Sequence, residues 1–289
     1  MNLRSKVHRF IYEQHWTIGF IEQPLSDIVQ DKPLEIRYVK NMPKECWFAD
    51  PFILDYDDSI IQLLVEEFNY AIRKGRIAKV LIDRNSYAVI GYKVVLELQS
   101  HLSFPFIYRN EGRVFVCPEN SASGSWNMYE YNKDGDTLTF IKRLSELPLT
   151  DAIFTSRVGN PLIFSTYIPV QNGDTLSVFN MVGQKTKAIT FKSNIGRNAG
   201  DWFNIGTSVY RPAQDCNGDY GKAIIIQSVE NNGDDFTFLD VRRIESTNPK
   251  FTTGCHTFNN YRDLTVVDVH GYRHYGWARV VNFIRGKRK

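Results

Sequence analysis

Residues 50–67 read DPFILDYDDSIIQLLVEE, and residues 103–119 read SFPFIYRNEGRVFVCPE. Each is a strand-like run, a polar turn and a second strand-like run. Asp57 and Asp58 make the first turn; Asn110, Glu111 and Gly112 make the second. The pattern returns in DAIFTSRVGNPLIFSTY (151–167), with its turn at Gly159 and Asn160, and in YRPAQDCNGDYGKAIIIQSVE (210–230), with its turn at Asn217 and Gly218. A weaker copy is HTFNNYRDLTVVDVHG (256–271). Asn, Asp and Gly suit these turns because they tolerate tight hairpin backbone geometry. A hairpin that restarts at intervals constrains the fold more than any other feature of the chain.

Further strand-like stretches follow the hairpins: RIAKVLID and VIGYKVVLEL after the first, WNMYEYN and TLTFIKRL after the second, TLSVFNMV and KAITFK after the third, FTFLDVRRI after the fourth. A unit is then four short antiparallel strands over about 45 to 60 residues, the period of a β-propeller blade. The spacing predicts an all-β, five-bladed β-propeller of four-stranded antiparallel blades, one domain over 1–289. The blades start near 50, 103, 151, 210 and 256. Residues 16–22 (WTIGFIE) form a strand outside blade one and are expected to close the ring on the last blade. No long helical pattern shows outside the first dozen residues. A pair of β-sandwiches would not restart its hairpin so regularly.

In a propeller the first strand of each blade lines the central channel, so the residues that open those strands face one mouth. The apolar Phe52, Leu54 and Phe106 are expected to pack between blades. Asp50, His101 and Ser103, Asp151, Tyr210 and Arg211, and His256 are expected to ring the mouth. Buried charges are costly unless paired, so such a ring marks either a site or an ionic tie between blades. Glu66, Glu67 and Glu119 end the second strands of blades one and two, and alternation allows only one of Glu66 and Glu67 to face inward. Trp47, Trp126, Trp202 and Tyr108 are candidate aromatic platforms for a sugar ring, against core packing as the alternative.

Composition excludes more than it assigns. The 289 residues carry 23% charged and 43% hydrophobic side chains, as a folded globular chain does, and the net charge of +3 gives no reason to expect nucleic acid. The basic stretch RGKRK (285–289) reads as a solvated tail. No apolar run approaches the length of a membrane span, and the first residues lack the apolar core of a signal peptide. The expected location is cytoplasmic. Cys46, Cys117, Cys216 and Cys255 are scattered, as free thiols in a reducing compartment are.

With these motifs in hand the chain resembles the five-bladed glycoside hydrolases of families 43, 32 and 130. More closely, WFADPF, HLSFPFIY, PE, YRPAQDCNGDYG and HTFN together resemble the N-terminal domain of the plant glucosamine inositolphosphorylceramide transferases, a domain also found in bacterial proteins of surface-polysaccharide synthesis. The resemblance runs from about Trp47 to about Arg273. It implies a carbohydrate-active propeller acting on a sugar, nucleotide sugar or anionic glycan, by glycosyl transfer or hydrolysis at the channel. The alternative is a non-catalytic glycan-binding propeller that serves a glycosyltransferase partner. The hydrolase pattern implies Asp50 as base and Asp151 as the second carboxyl. Its general acid opens blade four, where this chain has Tyr210, Arg211 and Pro212. A guanidinium does not donate a proton near neutral pH, but it clamps carboxylates and phosphates. Either the acid comes from Glu67, Glu119 or Asp215, or Arg211 binds an anionic sugar with His101 or His256 as proton carrier. The expected catalytic set is Asp50, Asp151, Glu67 and Glu119. The expected binding set is His101, Ser103, Tyr108, Arg211, Asp215 and His256. Some related propellers hold a channel cation near a histidine, but no ligand spacing appears here, and neither a metal nor another cofactor is expected.

Overall fold

A computed structural model describes residues 7–8, 10–233 and 235–286 of the chain. First in order come β1 (Gln14–Ile21), the short helix α1 (Leu25–Val29) and β2 (Arg37–Tyr38). Blade one is β3 (Cys46–Tyr56), β4 (Ile60–Asn69), β5 (Lys74–Asp83) and β6 (Val89–Leu96). Blade two is β7 (Ser103–Asn110), β8 (Arg113–Glu119), β9 (Trp126–Asn132) and β10 (Thr137–Ser145). Blade three is β11 (Leu149–Thr155), β12 (Leu162–Tyr167), β13 (Thr175–Phe179) and β14 (Lys185–Thr190). Blade four is β15 (Phe203–Ile205), β16 (Ser208–Asp215), β17 (Ala223–Asn231) and β18 (Phe236–Ile244). Blade five takes β19 (Phe258–Tyr261) and β20 (Leu264–Tyr272) from one end of the sequence and β1 and β2 from the other, in the order β19-β20-β1-β2. The protein is thus an all-β, five-bladed propeller of antiparallel blades. β1 closes the ring by pairing with β20 from Gln14↔Tyr272 to Ile21↔Thr265.

The repeated phrase at the strand starts is a backbone device. Pairing slips by a β-bulge between Ala49 and Phe52, between Ser103 and Phe106, and between Thr150 and Ile153. Each bulge holds one residue in the left-handed region: Asp50 (φ 48), Phe104 (φ 40) and Asp151 (φ 45). Asp tolerates this conformation better than most residues, which suits it to blades one and three. Pro51 and Pro105 follow directly, and proline, with no N–H to give a ladder, is at home in a bulge. The position in blade two that corresponds to Asp50 and Asp151 is therefore Phe104, with Ser103 one residue earlier.

Beyond the bulges the inner strands turn apolar and fill the gaps between blades. Phe52 meets Phe104 edge to face at 5.1 Å, and Phe106 meets Phe154 at 5.2 Å. One layer runs from Phe52 through Trp126 and Phe164 to Trp202. A second joins blades five and one through Ile18, Phe20, Val65 and Val266, and a third joins blades four and five through Phe203, Ile226 and Phe258.

Two features differ from the reading of the sequence. The hairpin at 210–230 is β16 and β17, the second and third strands of blade four; its first strand is β15. β15 has only three residues, too few to show alternation, and it turns into β16 through Gly206 (φ 59). The second feature is a helix after the ring, α2 (Tyr275–Gly286), where no helical pattern was expected. Among the described residues no helix is long and apolar enough to cross a membrane.

Candidate site at the channel mouth

The bulges aim side chains and N–H groups into the mouth, and carboxylates tie them from blade to blade. Asp268, fully buried on β20 of blade five, accepts the N–H of Asp50 in blade one at 3.0 Å. Asp50 accepts the N–H of Phe104 in blade two at 3.0 Å. Glu119, at the end of β8 in blade two, accepts the N–H of Asp151 in blade three at 2.9 Å. Each left-handed residue thus has its N–H held by a carboxylate of the preceding blade, which satisfies a donor the bulge removes from the ladder.

One half of the mouth is a carboxylate–imidazole–carboxylate line. His256 Nδ1 lies 2.8 Å from Asp268, and its Nε2 faces Asp50 Oδ1 at 3.5 Å. Asp268 also accepts the N–H groups of His256 and Thr257, and the Thr257 hydroxyl donates to Asp50 Oδ1 at 2.8 Å. Burial alone would lower the His256 pKa, but Asp268 and Asp50 lift it to about 9, so the ring is an imidazolium at neutral pH. Burial pushes Asp50 up to about 7 against the pull of His256, with Asp151, Glu66 and Asp268 adding to the rise. Burial acts upward on Asp268 too, but His256 and three backbone donors outweigh it and keep the carboxyl below its ordinary range. Asp50, His256 and Asp268 each offer one ligand atom, all within 4.8 Å of one another. Both ring nitrogens of His256 face carboxylates and the ring carries a proton in that place, so the trio fits a proton better than a cation.

The other half centres on Asp151. Arg197, from the loop before β15, gives an Nε–H bond to Asp151, reaches Glu119 at 3.5 Å and donates to Asn172 at 2.9 Å. Gln214 donates to the same Asp151 oxygen at 2.5 Å. Burial lifts Asp151 to about 7; Arg197 opposes the rise and Glu119 adds to it. Between the halves Glu66 sits 3.1 Å from His101 Nε2, while His101 Nδ1 accepts the Gly75 N–H at 3.1 Å. Burial alone would lower the His101 pKa; Glu66, Glu119 and Asp50 outweigh it, although a second proton would cost the ring its bond from Gly75. Five carboxyls, two imidazoles and one guanidinium thus share the mouth.

A cavity of about 710 Å³ opens above them, walled by Gln14, Trp16, Tyr220, Lys222, Thr253 and His270 among others. The acids are not in its wall. Trp16 stacks on His256 at 4.0 Å, Tyr220 meets His256 edge-on at 5.3 Å, and Arg197 lies 5.0 Å from the Tyr220 ring. These two rings line the cavity and pack on His256 from that side.

The sequence model of a family described as "Glucosamine inositolphosphorylceramide transferase 1, N-terminal" matches residues 37–282. The chain belongs to that family. The rice (japonica) glucosamine inositolphosphorylceramide transferase 1 is 27% identical over 63% of this chain and 26% of its own length. The Arabidopsis thaliana protein of the same name is 26% identical over 75% of this chain and 32% of its own. The chain therefore spans about a quarter to a third of these relatives. Among solved structures, a family 43 β-xylosidase/α-arabinofuranosidase from a compost metagenome, held with xylotriose in a calcium-free form, superposes with a TM-score of 0.50. It is 10% identical over 78% of this chain and 84% of that one, which is a likeness of fold.

In this member of the family the mouth gathers Asp50, Asp151, Glu119, His101 and His256, with Ser103 opposite Glu119 in the β7–β8 register. The other expected residues lie elsewhere. Glu67 alternates away from Glu66 and is clamped by Arg76 at 2.8 and 3.0 Å. Asp215 is held by Arg243 at 2.6 Å and by Asn217. Tyr108 packs on Phe154 at 4.7 Å and lines a separate cavity with Arg157, Asp201 and Tyr261, toward the far ends of the inner strands. Trp126 and Trp202 are core residues, and Trp47 stacks on Phe68 at 4.7 Å.

Arg211 is the largest departure. It is fully buried and donates to Asn198 at 3.0 Å, Ile195 O at 3.2 Å, Gln227 at 2.7 Å and Gly196 O at 2.6 Å. Four of its five N–H donors are committed inside the fold, and burial keeps it away from any ligand at the mouth. Arg197, Glu66, Asp268 and Trp16 are the site residues that the strand-start rule passes over. Asp268 sits mid-strand, and Arg197 lies in a loop; the alternation of Glu66 with Glu67 was the one signal in reach.

Proposed function

We propose that this propeller acts on a sugar, nucleotide sugar or anionic glycan at the channel mouth, in the assembly of a surface polysaccharide or glycolipid. The observation that carries this reading is the pair Asp50 and Asp151. Both are buried carboxyls lifted to about 7, close enough that Asp151 adds to the rise of Asp50, and poised to exchange protons at neutral pH. Asp50 is the base: its carboxylate takes the proton of an incoming hydroxyl and keeps it, and the His256 imidazolium beside it, held by Asp268, favours the ionised form that starts the step. Arg197 and Gln214 fix Asp151 as the orienting group. Blade four supplies Arg197, Asn198 and Gln214 here, and among the described residues no carboxylic acid from it stands in the cluster. That favours a donor whose leaving group departs as an anion, such as a sugar phosphate, over a glycoside whose leaving oxygen must be protonated. Family membership supports the reading, since the full-length relatives are named as transferases. Trp16 and Tyr220 must part to admit the ligand.

A second reading has its own observation. Asp50 is 4% exposed and Asp151 1%, and each carboxyl or its N–H ties two blades. In that reading the acids hold the ring, and the cavity above binds a glycan without turnover on behalf of a glycosyltransferase. The test is a binding and turnover panel of nucleotide sugars, uronic acids and neutral oligosaccharides, run on wild type and Asp50→Asn. Turnover lost in the variant with binding kept supports the first reading. Binding by both proteins with turnover by neither establishes the second.

A further inference from the structure

We propose that α2 is a membrane-docking helix that seats the propeller on an anionic bilayer, with its cavity at the rim. The proposal is independent of whether the cavity handles a sugar. The helix is held to the ring by one side only: Ala278 is buried, and Asn282 accepts a hydrogen bond from the Tyr12 hydroxyl at 2.9 Å. Trp277 is 61% exposed, and Val280 and Ile284 are exposed with it. Trp277, Val280 and Ile284 stand at i, i+3 and i+7, one stripe of a helix. Phe10, stacked on His274 at 4.0 Å and itself exposed, extends the patch past the start of the helix. An apolar stripe that faces water in this way marks a contact surface.

Charge selects the occupant. From Tyr275 onward the sequence is YGWARVVNFIRGKRK, with Arg279, Arg285, Lys287, Arg288 and Lys289 and no acidic residue. A stripe of Trp, Val and Ile in a sequence rich in cations and without acids matches the interface of an anionic bilayer, where rings and aliphatic chains enter at headgroup depth and cations meet lipid phosphates. A protein partner of ordinary mixed charge offers no such match. The helix also shares a wall with the cavity: Asn282 lines it together with Trp16 and Tyr220. Docking by this stripe brings the cavity close to the headgroups, where a lipid-linked ligand would present itself.

Flotation with vesicles tests this. Wild type is mixed with phosphatidylcholine vesicles and with phosphatidylcholine–phosphatidylglycerol vesicles, at low and at high salt. Binding is expected on the mixed vesicles, weaker at high salt and weaker still without phosphatidylglycerol. The double variant Trp277→Ser, Ile284→Ser should lower partitioning by about tenfold or more, through loss of apolar burial. Arg279→Glu should lower it on the anionic vesicles alone. All three positions face solvent, so an unchanged unfolding midpoint is the control for folding. Three results overturn the proposal: no binding of wild type at low salt, equal binding of wild type and the double variant, or a wild-type dimer that becomes monomeric in the double variant, which would make the stripe a self-association face.

Discussion

Arg197 and Arg211 are both buried arginines of the blade-four region, and they do opposite things. Arg197 faces Asp151 and Glu119; burial works against its charge, but the acids outweigh it and hold the guanidinium firmly protonated. Arg211 faces carbonyl and amide oxygens. Burial brings its pKa down to about 9, and Asp240, reached through Gln227, is the one charge that opposes the fall. A buried cation matched by neutral oxygens ties the chain together. A buried cation outnumbered by acids belongs to a charged site whose protons can move. The residue type alone does not separate these cases; the surrounding charge does.

The largest expected effect tests the tie. Arg211→Ala leaves two amide oxygens and two carbonyls without their donor in a sealed place, and should lower unfolding free energy by about 4 kcal/mol in a urea titration. A stable variant that instead loses an anionic ligand would erase the contrast between the two arginines. Arg197→Gln should cost less, about 2 kcal/mol at neutral pH, because Asp151 can take up a proton in place of the lost charge. Its deficit should shrink in acid and grow as pH rises, in unfolding curves recorded across pH.

The acids themselves give a third effect, with a sign fixed by linkage. Asp50 and Asp151 bind protons more tightly folded than unfolded, so their contribution to stability is full below about pH 4 and is lost as pH climbs through about 7. His256 continues the decline to about 9. Stability should therefore fall from mildly acidic to alkaline pH, and Asp50→Asn should flatten the first part of that slope and draw the second to lower pH, because Asp50 helps to lift His256. The smallest effect is Ser103→Ala. Its hydroxyl takes no part in the bonds that bind the mouth, and the change in unfolding free energy should stay within about 0.5 kcal/mol.

The propeller was legible because its hairpins repeat and their turns use Asn, Asp and Gly. β1 was legible as a surplus strand, since WTIGFIE has no partner in blade one. Asp50 and Asp151 were legible because they open strands in a repeated phrase. What the phrase meant was not: the left-handed bulge at Asp50, Phe104 and Asp151 is a backbone fact, and starting each copy at its polar letter puts Ser103 where Phe104 belongs. β15 left no period to read in three residues. Arg197 lies in SNIGRNAGD, a stretch with neither alternation nor turn signature. α2 did carry a signal in Trp277, Val280 and Ile284, which the search for strands passed over.

The pairing of β1 with β20 has a consequence in time. β1 is synthesised before nearly everything it packs against, and its ladder partner on the inner side is among the last strands made. Contacts so distant in sequence form slowly. Trp16, which stacks on His256, rides on β1, whereas His256 and Asp268 arrive with β19 and β20. A nascent chain therefore carries Trp16, Asp50 and Asp151 long before His256 and Asp268 exist. The mouth is assembled by the same event that finishes the ring, so a chain interrupted before β20 lacks half of it.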